Sequence, residues 1–213
     1  MRKLFSLFFH YFYHSLAWSY DIVADLVSIG RWNTWRLACL PYVRGPNVLE
    51  IGFGTGHIQV ALIKNGYIVF GLDESRQMAM LAKKNIQPQQ HQTGLCRGLA
   101  QSLPYSPNSM DSVVATFPSD YILQKITLSE IYRVLNSSGR LILVPMAWID
   151  GATIPDRLAN WLFHVTGQTS RKNNCPEKYL APLLNEAGFH MEIIREKAEQ
   201  STVLIIIAEK SGR

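Results

Sequence analysis

Three glycines and one aspartate carry the clearest chemical signal in this 213-residue sequence. The apolar run 48–51 leads into Gly52, Gly54 and Gly56, and a second apolar run ends at Asp73. Glycines where a strand turns into a helix let a ligand approach the bare backbone. An acidic side chain at the end of the next strand is placed to bind two ribose hydroxyls. The spacing therefore predicts a nucleotide-binding corner, with an ordinary strand–turn–helix corner as the alternative.

The third glycine indicates which nucleotide binds at this corner. A dinucleotide motif GxGxxG that starts at Gly52 needs glycine at position 57, where the sequence has His57. The observed spacing, E-x-G-x-G-x-G, resembles motif I of class I S-adenosylmethionine-dependent methyltransferases. The resemblance implies S-adenosyl-L-methionine as the cofactor. The contacts that it implies here are Glu50, Gly52, Phe53, Gly54, Thr55, Gly56, Asp73 and Glu74.

A second segment, at 98–113, resembles the G-D-A-x-x-L-P-F-x-x-x-S-F-D stretch of ubiquinone/menaquinone-type methyltransferases. In that family an aspartate accepts a hydrogen bond from the adenine amino group, whereas this sequence has Leu99 at that position. The resemblance then implies that apolar contact and backbone groups near Leu99 and Ala100 hold the adenine. If Gln101 does not replace the carboxylate, the cofactor loses the net value of one hydrogen bond, about 1 kcal/mol.

A third segment, at 20–36, resembles the N-terminal signature of the same family, Y-D-x-M-N-D-x-x-S-x-G-x-x-R-x-W-K. The sequence departs from it at Ala24, Asn33 and Arg36. In such enzymes this helical segment closes over the methionine end of the cofactor, which implies a cofactor contact for Tyr20. A tyrosine packed in the core is the alternative.

The methyl-accepting side is less clearly defined. After the fourth predicted strand the sequence reads TFPSDY instead of the [ND]-P-P-[YF] motif of enzymes that methylate planar amines, so nucleic-acid bases are disfavoured as substrates. Phe117 and Pro118 are predicted to form a wall of the site, and Phe117 is a predicted cofactor contact. Asp120 is interpreted as a base or, preferably, as the cap of the next helix.

Catalysis needs little acid–base machinery, because in-line placement of a nucleophile against a sulfonium supplies much of the rate acceleration. A general base is required only if the acceptor must lose a proton. Tyr121, His164 and His14 are the weak candidates, and the catalytic residue stays unassigned. No metal site is predicted. The aromatic insert 146–175 either lines a pocket for a flat or apolar acceptor or packs on the sheet.

Alternating elements from residue 47 onward must position these residues. Strands are predicted at 48–51, 67–72, 95–96, 110–116 and 140–144, the last ending at Pro145. Helices are predicted at 55–65, at 75–85 with Ser75 as the cap and Met78 on the apolar face, through 126–135 with a turn at 137–139, at 157–165 and at 177–187. Strands at 189–195 and 202–208 must form an antiparallel hairpin, because only a short turn joins them.

We expect an α/β fold with a Rossmann-like seven-stranded sheet, mostly parallel, and helices on both faces. Residues 1–44 are predicted to form a helical cap over the active site, and residues 45–213 the methyltransferase domain.

The amino-acid composition indicates which classes of partner and which cellular compartment fit this protein. The net charge of +5 comes from dispersed basic residues, which indicates a solvated surface rather than a nucleic-acid partner. Three scattered cysteines without a CxxC pair predict neither disulfides nor zinc and fit a reducing, cytoplasmic compartment.

Residues 1–18 are basic and then aromatic, but they lack a cleavage site and are too short and polar to span a bilayer. They are predicted to pack over the site or to lie on a membrane surface.

These patterns together favour one activity. We expect S-adenosylmethionine-dependent methyl transfer to a small apolar or aromatic acceptor, with a quinone- or lipid-like molecule favoured. A methyltransferase that acts on RNA or protein is the first alternative. A non-catalytic cofactor-binding scaffold of the same fold is the second, because Leu99 departs from the family pattern. The acceptor atom and the oligomeric state are left open.

Overall fold

A seven-stranded sheet forms the centre of the computed structural model, which describes residues 20–87, 94–151, 153, 156 and 177–211. The strands are β1 (Asn47–Ile51), β2 (Ile68–Asp73), β3 (Gly94–Arg97), β4 (Met110–Thr116), β5 (Leu135–Ile149), β6 (Phe189–Ala198) and β7 (Ser201–Lys210). The α-helices are α1 (Tyr20–Ser28), α2 (Trp32–Leu37), α3 (His57–Lys64), α4 (Arg76–Ile86), α5 (Lys125–Val134) and α6 (Glu177–Glu186). Short 3₁₀ helices span Leu40–Tyr42 and Asp120–Leu123.

The strand order is β3-β2-β1-β4-β5-β7-β6. The first five strands pair in parallel, whereas β7 runs antiparallel between β5 and β6. The predicted Rossmann-like sheet with its C-terminal hairpin is therefore confirmed. The strand order reverses at β1, where β2 lies on one side and β4 on the other. In an open α/β sheet, ligands bind beside the carboxyl ends of the strands at such a switch point.

Side-chain alternation places one core on each face of the sheet. On β5, Leu141 and Leu143 belong to the cluster with α5 and α6, whereas Ile142 and Val144 belong to the cluster with α2, α3 and α4. This period of two is a property of strand geometry. All four side chains are almost fully buried, and each contributes roughly 1.5–3 kcal/mol through the hydrophobic effect. The two cores hold the strand ends in place.

Local signals set where the helices begin. The Ser75 hydroxyl accepts a hydrogen bond from the Met78 N–H, 3.3 Å away, so Ser75 caps α4 as predicted. The preceding helix, α3, begins at His57 instead of position 55, because Gly56 before it has a left-handed φ of +83°. Asp120 does not cap α5, whose N-cap is Gln124. Asp120 instead lies in the first turn of the 3₁₀ helix that precedes α5.

Strand β5 is longer than predicted at both ends, which corrects two expectations. The turn predicted at 137–139 lies inside the strand, as extra chain between the paired residues Leu135 and Arg140. The predicted end at Pro145 is also wrong, because pairing with β7 resumes at Met146 after a register shift. Proline lacks a backbone N–H and is tolerated in a sheet at such an irregularity. Residues 146–149 therefore belong to β5 and not to the insert.

Several predictions concern residues outside the described ranges. These are the N-terminal stretch 1–18 and the helix at 157–165, together with most of the insert. The described part of the proposed cap comprises α1, α2 and the 3₁₀ helix Leu40–Tyr42. It is attached to the rest of the molecule by long-range hydrogen bonds. Tyr42 donates to the Glu196 carboxylate at 2.8 Å, and Arg31 donates to the buried Asp156 carboxylate at 2.7 Å.

Candidate functional site

A cavity of about 390 Å³ opens at the carboxyl ends of β1, β2 and β4. Four chain segments line it: the glycine loop after β1, the end of β2 with the start of α4, the segment after β3 and the segment after β4. The lining residues are Ile51, Gly52, Gly54, Leu72, Asp73, Glu74, Ser75, Met78, Gly98, Leu99, Ala100, Gln101, Thr116, Phe117, Pro118, Ser119 and Tyr121. The cavity therefore lies at the switch point of the sheet.

The glycine loop uses backbone conformations that other residues rarely adopt. Gly52, Gly54 and Gly56 all have positive φ values, of +75°, +51° and +83°. A Cβ atom on Gly52 would lie 2.7 Å from the Tyr121 hydroxyl oxygen, whereas one on Gly54 would meet open space. The loop thus presents bare backbone to the cavity, as a ligand that binds along the chain requires.

The carboxylate of Asp73 is held in place by backbone donors. One oxygen accepts the Gly54 N–H at 2.9 Å and the other accepts the Ser75 N–H at 2.8 Å. Burial raises the pKa of Asp73, and these two hydrogen bonds lower it again in part. Because a carboxylate oxygen has a second lone pair, both oxygens can still accept a hydrogen bond from a ligand hydroxyl. Asp73 is therefore oriented to bind a vicinal diol.

The wall after β3 is apolar and provides backbone groups. Leu99 is 55% exposed where the resembling family has an aspartate, and the neighbouring Ala100 is buried. The Gln101 amide donates to the side-chain oxygen of Gln124 at 2.9 Å, so that N–H is engaged within the protein. This wall can hold a flat heterocycle through apolar contact with Leu99 and through backbone hydrogen bonds.

The wall after β4 is aromatic and contains an unusual backbone conformation. Phe117 has a φ of +47°, and its N–H donates to the Val144 carbonyl on β5 at 2.7 Å. Its ring stacks on Trp32 of α2, with 4.3 Å between the ring centroids and 29° between the planes. Pro118 and Tyr121 complete this side of the cavity. The described N-terminal segment therefore packs directly behind the cavity wall.

Some predicted cofactor contacts lie next to the cavity without being among the residues that line it in the described structure. Glu50, Phe53 and Thr55 are buried, and Gly56 is the N-cap residue of α3. Glu50 accepts a hydrogen bond from the Gln59 amide at 2.9 Å, and burial raises its pKa to about 8. Glu50 is therefore a buried residue next to the cavity, held by Gln59, and its predicted cofactor contact stays a prediction.

Of the remaining predicted site residues, the structure describes the side chain of Tyr121 but not those of Tyr20, His14 and His164. Tyr20 begins α1, but its side chain is not among those described. His14 and His164 lie outside the described ranges, so their candidate roles stay predictions. Tyr121 lies on the cavity wall. Its hydroxyl is the group next to Gly52.

Sequence reasoning missed several residues of this region, among them Ser75, Met78 and Trp32. Ser75 and Met78 line the cavity, although the sequence indicated only a helix cap and an apolar helix face. Their positions in the first turn after Asp73 are a signal that could have revealed them, because that turn must border a ligand bound at the strand end. No sequence signal pairs Trp32 with Phe117, which lie on separate elements.

Two absences apply to the described part of the chain alone. No group of three or more histidine, cysteine or carboxylate side chains there is arranged to hold a metal ion. Of the helices in the described ranges, none combines the length and apolar character that crossing a membrane requires.

The segment that carries the site matches a known family. Residues 49–143 match the model of the family described as "Methyltransferase domain". The matched segment begins on β1 and ends on β5. It therefore includes the glycine loop, Asp73 and all the described residues that line the cavity.

Curated relatives point in the same direction. The chain is 33% identical over 139 residues to a demethylmenaquinone methyltransferase of Lactiplantibacillus plantarum, covering 61% of this chain and 59% of the relative. A ubiquinone/menaquinone biosynthesis C-methyltransferase of Roseobacter denitrificans is 24% identical over 208 residues, covering 92% of this chain and 79% of the relative. Four curated relatives, including that of Lactiplantibacillus plantarum, are matched over only 54–59% of their own length.

Solved structures share the fold at low sequence identity. A SAM-dependent methyltransferase from Aquifex aeolicus has a TM-score of 0.62 at 16% identity, over 84% of this chain and 92% of that chain. Phosphoethanolamine N-methyltransferase 2 of Haemonchus contortus, in complex with S-adenosyl-L-methionine, has a TM-score of 0.59 at 19% identity, over 85% of this chain and 53% of that chain. Residues 49–143 thus match a methyltransferase domain, and the chain shares its fold with solved S-adenosylmethionine-dependent methyltransferases.

Proposed function

We propose that this protein transfers the methyl group of S-adenosyl-L-methionine to a small apolar or aromatic acceptor, with a quinone-like molecule favoured. The observation that carries the proposal is the cavity at the switch point, where the bare backbone of Gly52 and Gly54 meets the oriented carboxylate of Asp73. The relatives named for quinone methylation support the choice of acceptor.

The residues of the cavity fit the cofactor part by part. Asp73 binds the two ribose hydroxyls, since both of its oxygens retain acceptor capacity and its orientation is fixed by Gly54 and Ser75. The adenine lies against Leu99 and Ala100. The glycine loop accommodates the methionine portion, because no Cβ on Gly52 or Gly54 occupies that space.

The protein's contribution to the reaction is placement. The cofactor supplies an electrophilic methyl group on a sulfonium, so an acceptor held in line needs no covalent help from the chain. Phe117 and Pro118 give the acceptor end an apolar surface that excludes water. If the acceptor must lose a proton, the Tyr121 hydroxyl is the group of the described wall that we propose as the base.

Calorimetry with S-adenosylhomocysteine tests the cofactor assignment. The full-length protein should bind it, and Asp73→Asn should weaken binding at least about tenfold, since hydrogen bonds to a charged group contribute roughly 1.5–3 kcal/mol. Glu192→Gln, which makes the same change from carboxylate to amide on the exposed side of β6, should bind as the unmodified protein does. Absence of binding at millimolar ligand by the folded protein would overturn the proposal.

The acceptor needs a separate experiment. Transfer of a labelled methyl group to a demethylated naphthoquinone supports the quinone-like assignment. A protein that binds S-adenosylhomocysteine but leaves this quinone unlabelled refutes the acceptor and leaves the cofactor site standing. Comparison of metabolites with and without the gene then identifies the acceptor.

We further propose a cytoplasmic location, with contact to a membrane surface through residues 1–18, because an apolar acceptor of this kind partitions into membranes. Co-sedimentation with anionic vesicles tests the membrane contact. The full-length chain should sediment, and a chain that starts at Ser19 should remain in solution. Equal behaviour of the two proteins contradicts the contact.

A further inference from the structure

Trp32 lies one layer behind the cavity. It is part of α2 and is not among the described residues that line the cavity. Its position is one that the N-terminal signature of the resembling family leaves variable. Its indole ring nevertheless stacks on Phe117, which does line the cavity, with 4.3 Å between the ring centroids. Trp35 also packs near Phe117, at 6.4 Å, so α2 contributes two rings to one side of this phenylalanine.

Phe117 is held in a conformation that its residue type disfavours. Its φ of +47° lies in the left-handed region, where the Cβ of an L-residue crowds the backbone. Such a conformation persists only when the surroundings over-determine it. Two contacts do so here: the hydrogen bond from its N–H to the Val144 carbonyl, and the stack on Trp32. The first holds the backbone and the second holds the ring.

The strand order shows which part of the cavity this ring faces. Asp73 ends β2, the glycine loop follows β1 and Phe117 follows β4, and these three strands are consecutive in the sheet. The segment with Leu99 follows β3, on the far side of β2. A nucleoside with its ribose on Asp73 and its adenine on Leu99 directs its other end toward β4. Phe117 therefore borders the end of the cavity where the methyl group lies.

We propose that Trp32 is a positioning residue, which keeps Phe117 left-handed and its ring on the cavity wall, so that α2 sets the affinity for the cofactor. The proposal rests on the proposed function, since it concerns the same cavity. Without the indole ring, Phe117 relaxes toward a negative φ, and both its ring and the chain through Pro118 leave the wall. Trp32 acts through Phe117 and does not touch the ligand itself.

Two substitutions at one position test the role of the ring. Calorimetry with S-adenosylhomocysteine should show binding to Trp32→Leu that is about two- to tenfold weaker, the range that an aromatic pair contributes. Trp32→Phe keeps a ring for the stack and should bind within about twofold of the unmodified protein. Equal affinity of all three proteins overturns the proposal. Weak binding by Trp32→Phe as well as Trp32→Leu also overturns it, since the effect then follows side-chain size and not stacking.

A double-mutant cycle separates positioning from general packing. Phe117→Asn removes the ring but keeps a residue that tolerates positive φ. In this background Trp32→Leu should change the affinity by less than about twofold, because no ring is left to position. A loss as large as in the unmodified background shows that Trp32 acts independently of Phe117 and overturns the proposal.

The cycle also remains informative if Trp32→Leu lowers the melting temperature, because the affinities are compared at a temperature where all four proteins are folded. Binding by the unmodified protein separates failure of the proposed function from failure of the role of Trp32. If it does not bind S-adenosylhomocysteine, the proposed function fails. If it binds and the cycle shows no coupling, only the role of Trp32 fails.

Discussion

The glycine loop and Phe117 face the same cavity with the same kind of backbone, but they reach it by different means. Gly52, Gly54 and Gly56 have φ values of +75°, +51° and +83°, and Phe117 has +47°. In the loop, the residue type itself makes the left-handed conformation favourable, because glycine has no Cβ. At Phe117 the residue type opposes it, and contacts with Trp32 and Val144 impose it.

The difference shows which half of the site takes its conformation from residues that are close in sequence. The side of the cavity that we propose for the cofactor is built from a loop and a strand end that are close in sequence, and Asp73 is oriented by the backbone of residues 54 and 75. The methyl side is assembled from α2, the end of β4 and β5, which are far apart in sequence. Substitutions should therefore act through local conformation on one side and through distant packing on the other.

The largest effect is expected at Gly56. A Cβ there would lie 2.9 Å from the Cβ and 3.0 Å from the Cα of Ala82, in addition to the cost of a positive φ. Gly56→Ala should lower the free energy of unfolding by about 2–4 kcal/mol, the sum of a left-handed alanine and an overpacked contact. Chemical denaturation measures it.

Gly54→Ala is the matched control for that change. It shares the positive φ, but its Cβ would meet nothing within 4 Å. It should cost only about 1–2 kcal/mol, the conformational part alone. Equal losses at both positions would mean that the contact with Ala82 relaxes and that backbone conformation alone governs this loop.

The raised pKa of Glu50 predicts that the free energy of unfolding depends on pH. Glu50 lies on β1, one residue before the strand ends, and burial raises its pKa to about 8, while the Gln59 hydrogen bond and the charge of Arg36 on α2 lower it. Between pH 4.5 and 8 the folded state holds a proton that the unfolded state has lost. This contribution to stability is complete below pH 4.5 and is lost as pH rises through 8, with a slope of at most about 1.4 kcal/mol per pH unit.

Denaturation midpoints of the unmodified protein and Glu50→Gln at several pH values between 5 and 8 test this linkage. The glutamine cannot titrate, so its free energy of unfolding should fall less steeply with pH than that of the unmodified protein. The two curves should differ most in slope below pH 8. Parallel curves would show that Glu50 ionises in the folded protein as it does in water.

The smallest effect is expected where the N-terminal segment meets the hairpin. Tyr42 donates one hydrogen bond to Glu196, at a partly exposed position. Tyr42→Phe should lower the free energy of unfolding by about 1 kcal/mol or less, because a single hydrogen bond near water has little net value. Thermal unfolding measures it. A loss as large as that of Gly56→Ala would show that attachment of this segment governs the stability of the whole fold.

Much of the fold could be predicted because its signals are local. The bounds of β4 agree with the prediction to the residue, and Ser75 caps α4 as its type and position indicate. The exceptions lie on β5, where a proline and a run of small polar residues resemble strand breakers. Pairing with β4 and β7 overrides these local preferences and absorbs both segments as irregularities.

The sequence by itself determined the glycine loop and the position of Asp73 at the cavity, because a left-handed glycine loop and a strand-end carboxylate depend on residue type and spacing. It also determined the parallel sheet and the C-terminal hairpin through hydrophobic alternation and turn length. Only the tertiary structure decided that Ser75 and Met78 border the cavity, that Glu50 is buried, and that Trp32 stacks on Phe117. Those features depend on which distant elements the two faces of the sheet bring together.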